Sequence, residues 1–262
     1  MKELADQLRQ LQAGDIRKMM IEQSLNKLFV TGTEKKEERF GLHASAILEG
    51  EAKFCYREQV LSLFYKRNHE KDLPISLLRI FKQGNVIHEK WQNLFVAAGI
   101  AIEVEKTHFK KKYDLSYTPD AEVRMAGGTP VVEIKSMNGF AFAAATGKSK
   151  SKKWAGHPSG RKQCNFYLHM RKLDWGFVLM EDKSTQNFEV EIVEYDRAAA
   201  MPYIERLEIV QEYKLNFVND RRMPKKHAKC TTCSSKRAME CPLRDACWNV
   251  GRGRVKLDGV KL

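Results

Sequence analysis

The chain has 262 residues, 43% of them hydrophobic, and a formal net charge of +13. That length suits one domain of moderate size or a core with extensions, and the composition is that of a globular protein. No apolar run of about 18 residues is present and the start, "MKELADQLRQLQAGDIRKMM", has no apolar core, so neither a transmembrane helix nor a signal peptide is expected.

A soluble, cytoplasmic protein that does not engage a membrane is the expectation. The charge points to a polyanionic partner, most often nucleic acid, although charge alone does not separate nucleic acid from an anionic surface. The six cysteines are Cys55, Cys164, Cys230, Cys233, Cys241 and Cys247. Four of them crowd into residues 230–247, which in a reducing compartment favours metal binding over disulfides.

The first forty residues read as helical and charged. A long helical region is expected over about residues 43–67, with Phe54, Leu61, Phe64 and Tyr65 apolar. Further on, Ile87, Trp91, Leu94, Phe95 and Ala98 recur at helical spacing. Gly84 is expected to break or bend that helix and Gly99 to end it. From residue 100 the period changes to two. "IAIEVEKTHF" alternates as a strand does, and "YTPDAEVRM" and "TPVVEIKSM", joined through "AGGT", read as a hairpin. "NGFAFAAATGKSKSKKWAGHPSG" has no clear period and reads as a loop. "RKQCNFYLHMRK" reads as a helix, "WGFVLMED" and "FEVEIVEYD" as two strands, and about 200–217 as another helix. The order implies an α/β fold, a central mixed sheet flanked by helices. A helical N-terminal region (1–72), a core (73–200) and a helix with a cysteine-rich tail (201–262) are the expected divisions.

In "VVEIKS", Glu133 and Lys135 share one strand face and Val132 and Ile134 the other. Asp120 follows Pro119 on the preceding strand. Neighbouring strands lie about 4.8 Å apart, so Asp120 and Glu133 can approach one point. Two close carboxylates repel unless a cation sits between them. A hard divalent ion such as Mg²⁺ takes oxygen ligands and keeps waters. Lys135 can then orient a water or offset developing charge. Those are the parts phosphodiester hydrolysis requires. An ordinary surface ion pair is the plain alternative for these residues taken alone.

With "TPD" followed by "VEIKS", the chain resembles the PD-(D/E)XK nucleases, whose core is restriction-endonuclease-like. Gly84-x3-His88 and Gln163-x3-Tyr167 resemble two further motifs of the RecB-like branch, and the four elements fall in the family's order over residues 84–167. The resemblance implies that His88, Asp120, Glu133 and the main-chain carbonyl of Ile134 hold one or two Mg²⁺ or Mn²⁺ ions. It implies that Lys135 assists the attacking water and that Gln163 and Tyr167, on one helix face, line the site and contact DNA. The implied activity is that of an exonuclease on DNA ends or single strands, in recombination, repair, phage DNA processing or CRISPR adaptation. No G-x4-G-K-[ST] loop is present, so unwinding falls to a helicase or recombination partner. A structure- or sequence-specific endonuclease and a non-catalytic DNA-binding protein are the competing classes.

The segment "TGKSKSKKWAGHPSGRK" carries Lys148, Lys150, Lys152, Lys153, Arg161 and Lys162, candidates for phosphate contacts. Trp154 among them is a candidate for stacking on a base. A solvated basic loop is the alternative.

The tail cysteines are spaced C-x2-C-x7-C-x5-C. Cys230, Cys233, Cys241 and Cys247 could bind one Zn²⁺, or three of them with Cys55 could hold an iron–sulfur cluster. Many RecB-like nucleases, including the AddB type and the CRISPR-associated ones, carry a 4Fe–4S cluster with one ligand near the N-terminus and three in the tail. This chain departs from that pattern twice. Cys55-Tyr56-Arg57 stands where Cys-Pro-Arg is usual, and the tail has four cysteines, leaving five candidates for four positions. Either metal is expected to be structural, supplying folding energy to a polar tail. Cys164 reads as a buried core thiol.

Overall fold

The structure is a computed structural model and describes residues 41–65, 67, 74–125, 127–149 and 156–249, together with residues 21 and 23. The helical reading of the first forty residues lies outside these, residues 21 and 23 apart. The chain divides into two compact units, residues 1–37 with 71–82 and residues 38–70 with 83–262. The sites below all lie in the second.

In chain order the elements are β1 (Leu42–His43), α1 (Ala44–Ile47), α2 (Tyr56–Ser62), α3 (Ile75–Ala97), β2 (Ala101–Val104), β3 (His108–Lys110), β4 (Leu115–Tyr117), β5 (Ala121–Val123) and β6 (Val131–Met137). There follow α4 (Gly139–Ala145), α5 (Pro158–Arg171), β7 (Trp175–Asp182), β8 (Phe188–Glu194), α6 (Arg197–Asp220), α7 (Lys236–Glu240) and α8 (Arg244–Asn249). The larger sheet has the order β2-β5-β6-β7-β8, parallel at β6–β7 and antiparallel elsewhere. A smaller sheet, β1-β4-β3, is also mixed. The fold is therefore mixed α/β with helices against the sheets.

Two apolar cores sandwich the larger sheet. On one face Ile87 and Phe95 of α3 meet Ala121, Val123, Val132, Ile134, Phe177 and Leu179. On the other, Val131, Val178, Met180 and Val193 pack with Cys164, Phe166 and Leu168 of α5 and Ile204, Leu207 and Val210 of α6. Strand β6 is thus covered on both sides, as parallel-paired central strands generally are. Among the described residues, no helix is long and apolar enough to cross a membrane.

Five local readings change, the first being "YTPDAEVRM", whose Tyr117 ends β4 and whose Ala121–Val123 forms β5 in the other sheet. Residues 43–67 form two short helices rather than one, because the Gly50 carbonyl accepts from the Lys53 and Phe54 N–H groups and turns the chain between them. Helix α3 runs through Gly84 without a break; a Cβ there would stand 3.2 Å from Ser136 Oγ, so the glycine serves close approach of helix to strand. "IAIEVEKTHF" is two strands in different sheets, parted at Glu105, which has a left-handed φ of 44°. The apparent loop after β6 begins with helix α4, capped by the Asn138 side chain accepting from the Ala141 N–H at 2.8 Å. Its Phe/Ala run carries no polar period: Phe142, Ala144 and Ala145 are buried, and the exposed position is Phe140.

Candidate active site and cysteine pocket

Strand β5 is three residues long and β6 seven. Register pairs Ala121 with Val132 and Glu122 with Val131, so β5 leaves the sheet just as β6 reaches Glu133. Asp120 stands at that point of departure. Its Oδ2 accepts the Ile134 N–H at 2.6 Å, taking the place of a ladder bond. In an extended strand a residue's N–H and C=O project to the same side. The Ile134 carbonyl therefore opens toward Asp120. Asp120 Oδ1 lies 3.4 Å from His88 Nδ1, delivered by α3.

Glu133 and Lys135 project to the opposite face, toward α5. The Lys135 ammonium donates to Glu133 Oε1 and, at 3.2 Å, to Gln163 Oε1. Gln163 Nε2 in turn donates to the Tyr167 hydroxyl at 3.0 Å. The i, i+4 spacing on α5 thus yields one hydrogen-bonded chain, Tyr167–Gln163–Lys135–Glu133. Gly160 permits the approach: a Cβ there would lie 2.9 Å from Val178 Cγ1 and 3.3 Å from Lys135 Cγ. Burial holds the Tyr167 hydroxyl protonated well above its ordinary range, so it remains a donor.

The electrostatics centre on Glu133, which is 1% exposed. Burial, and then repulsion from Asp120, raise its pKa well above the ordinary carboxylate range, against the opposing pull of Lys135. Burial pushes Lys135 down, but the Glu133 and Asp120 charges outweigh it and its pKa is raised. Without a cation, burial and the Asp120 charge hold a proton on Glu133 to higher pH than usual, and the Lys135 contact opposes them. Glu133 Oε2 is buried with no hydrogen-bond partner. An acceptor left bare in this way beside a second carboxylate suits a cation. The donor chemistry, two carboxylates and a carbonyl, fits Mg²⁺ or Mn²⁺.

The structure places the basic residues differently from one another. Lys148 pairs at the surface with Glu189 at 3.3 Å. Arg161 is bound to Glu191, and the Lys162 ammonium donates to the Leu48 carbonyl and lies 5.8 Å from the Tyr203 ring centre, so both are tied into the fold. Lys150, Lys152, Lys153 and Trp154 lie outside the described residues.

Cys55, at the start of α2, lines one pocket with Cys230, Cys241 and Cys247, while Cys233 is exposed and not part of its lining. Arg57 of α2 clamps the residues around 224 and 247 there. Its guanidinium donates to Cys247 Sγ at 3.2 Å, to the Cys247 carbonyl at 3.1 Å and to the Pro224 carbonyl at 3.0 Å. Arg237 holds Glu58 at 2.8 Å beside the same pocket. Burial raises the thiol pKa values of Cys55 and Cys230, and burial with the Glu58 charge pushes Cys241 up to about 12. Sulfurs so placed bind a metal by exchanging protons for it. Four thiols on one pocket wall, with arginines to offset thiolate charge, fit a thiolate-bound metal centre. As the side chains stand, among the described residues no three His, Cys, Asp or Glu form a ready metal cage at either centre. Cys164 is fully buried against the sheet.

Two residues of these centres carry no role in the sequence pattern, and a third shows there only as part of a motif. Gln92 of α3 donates to the Asp120 carbonyl at 3.1 Å. His157 caps α5, its Nδ1 accepting the Gly160 N–H at 2.9 Å, close enough to Lys135 for that charge, after burial, to lower its pKa. Arg57 was visible only as part of Cys55-Tyr56-Arg57. His157 lacks the usual capping signal of Ser, Thr, Asp or Asn, and nothing in spacing alone points Gln92 at Asp120.

No family model and no curated protein matches the chain. Among solved structures, SSO0001 is similar at 17% identity and a TM-score of 0.44, over 78% of this chain and 98% of its own. An alkaline exonuclease from Laribacter hongkongensis is similar at 15% identity and a TM-score of 0.46, over 69% of this chain and 92% of its own. The same exonuclease in complex with dAMP gives 14% identity and a TM-score of 0.46. At these TM-scores the likenesses carry no argument about activity, which rests on the side chains.

Proposed function

We propose that the protein is a metal-dependent DNA nuclease of the PD-(D/E)XK type, RecB-like, hydrolysing phosphodiester bonds at DNA ends or in single strands. The observation that carries this reading is the buried, unpartnered Glu133 Oε2 beside Asp120, with Lys135 hydrogen-bonded to the same carboxylate. Asp120, Glu133 and the Ile134 carbonyl would hold Mg²⁺ or Mn²⁺, with His88 bearing on Asp120. The bound ion would supply Lewis-acid polarisation of the phosphate and acidify a water. Lys135 would orient that water and offset charge on the phosphoryl oxygens. Gln163 holds Lys135 in place, and Tyr167 holds Gln163. The surplus of 46 basic over 33 acidic residues supports a polyanionic substrate. A helicase or recombination partner would present the strand.

The Cys55, Cys230, Cys241 and Cys247 pocket is read as a 4Fe–4S site that joins α2 to the tail. What supports this ligand set over a local four-cysteine zinc site is the place of Cys55 in the pocket and of Cys233 outside it. The test is a cleavage assay with Mg²⁺ or Mn²⁺ on linear duplex, single-stranded and closed circular DNA, run beside the Lys135→Ala variant. Cleavage of open but not closed DNA, lost in the variant, is expected. Undiminished cleavage by Lys135→Ala would overturn the catalytic assignment, and cutting of closed circles would make the protein an endonuclease. Anaerobic purification with iron, sulfide and zinc analysis decides the second centre.

A further inference from the structure

The turn of α3 from His88 to Gln92 sends its side chains to the ends of two strands. His88 Nδ1 is 3.4 Å from Asp120 Oδ1. Gln92, one turn later and 5% exposed, donates to the main-chain carbonyl of the same Asp120 at 3.1 Å. Between them, Lys90 and the Trp91 indole N–H both bind Glu181 on β7, each with a contact of 2.5 Å. Glu181 is 1% exposed, so it fixes this turn of α3 against the sheet.

Asp120 needs such fixing. It follows a proline, lies before β5 begins, and has no strand partner of its own. Its carbonyl also accepts the Glu105 N–H at 3.2 Å, from a residue in a left-handed conformation. The Asp120 side chain is thus set by His88 and the Ile134 N–H, and its peptide by Gln92 and Glu105. Rotating that peptide swings the carboxylate relative to Glu133.

We infer that Gln92 is a positioning residue for Asp120: its buried amide locks the Asp120 peptide and with it the direction of the carboxylate relative to Glu133. The inference rests on the reading of Asp120 and Glu133 as ligands of a divalent ion. Groups that orient a metal's ligands commonly matter about 10–100-fold in metal affinity or activity. Gln92 makes no contact with the reacting groups, so its loss should act through the ion and leave DNA affinity alone.

The test compares Gln92→Met, which keeps the volume and removes the donor, with Phe95→Leu, which loosens the same face of α3 without touching Asp120. Mn²⁺ affinity is read by electron paramagnetic resonance on the full chain without DNA. kcat and KM for DNA cleavage are read at saturating Mn²⁺, and thermal unfolding is followed in parallel. Gln92→Met should weaken Mn²⁺ binding about 10-fold or more and lower kcat with KM for DNA unchanged. Phe95→Leu should lower the unfolding temperature and leave Mn²⁺ affinity intact. Gln92→Asn, too short to reach the carbonyl, should repeat the Mn²⁺ defect if Gln92→Met folds poorly. Wild-type Mn²⁺ affinity in both Gln92 variants overturns the inference, and so does an equal loss in Phe95→Leu. A wild-type protein that neither binds Mn²⁺ nor cleaves DNA overturns the nuclease reading together with it.

Discussion

The carboxylate site and the cysteine pocket differ in how much chain each must gather. Asp120, Glu133 and Lys135 come from one hairpin and its entry, and the groups around them arrive on helices packed against that hairpin. The pocket joins Cys55 to Cys247, and its clamp, Arg57 to Cys247, spans 190 residues of sequence. A site built on adjacent strands is held by the core whether or not a ligand binds. A site that joins two distant segments must offset the chain entropy of their meeting, through Arg57 and through whatever the thiols bind. The first centre should therefore lose chemistry when altered and keep its fold; the second should lose structure.

The strongest test of that contrast is Lys135→Ala. It should reduce cleavage by about 10²–10⁴-fold, the usual weight of a positioned proton-transfer or charge-stabilising group, with the unfolding temperature little changed. Next, Cys55→Ser should release the bound metal and lower the unfolding temperature by several degrees, whereas Cys233→Ser should retain full metal stoichiometry. Equal metal loss in the two would return the site to the local four-cysteine arrangement. Because burial holds the Cys55, Cys230 and Cys241 thiols protonated, metal must displace protons there. A chelator should consequently strip the centre faster as pH falls.

A smaller effect, of opposite sign, is expected at Glu133. Its folded pKa is raised, so the native state holds a proton over the interval above the unfolded carboxylate value where the unfolded chain has released it. Stability of the metal-free protein should fall as pH rises through that interval. Glu133→Gln removes this titration and should flatten the slope, stabilising the metal-free protein by about 1–3 kcal/mol above the interval, while abolishing cleavage. Denaturant unfolding at a series of pH values, with chelator present, reads this directly. The smallest effect is at Lys148, whose exposed pairing with Glu189 is worth little to the fold. Lys148→Ala should leave stability unchanged and lower DNA affinity modestly, most at low salt, with a salt slope shallower by about one phosphate contact.

How legible each part was follows from the range of the interaction behind it. In β6 a period of two assigned Val132 and Ile134 to one core and Glu133 and Lys135 to the opposite face. In α5 a period of 3.6 put Gln163 beside Tyr167. The mis-set elements were those where local pattern and packing diverge. Gly84 has the composition of a helix breaker, yet in the fold it is where helix and strand touch. "GFAFAAA" hides its helix because its exposed side carries Phe140 in place of a polar residue, so no polar period shows. Glu105 splits an alternating run by one backbone angle.

By itself, then, the sequence determined the strand and helix faces that carry Glu133, Lys135, Gln163 and Tyr167, because backbone geometry turns short spacing into shared direction. Only the tertiary structure decided the rest. It set Gln92 on the Asp120 carbonyl, occupied Arg161 and Lys162 within the fold, and left Glu133 Oε2 without a partner. It also brought Cys55 together with Cys230, Cys241 and Cys247 while leaving Cys233 outside. Each of those depends on which distant surfaces close over one another, and that is fixed by the packing of the whole core, not by any local period.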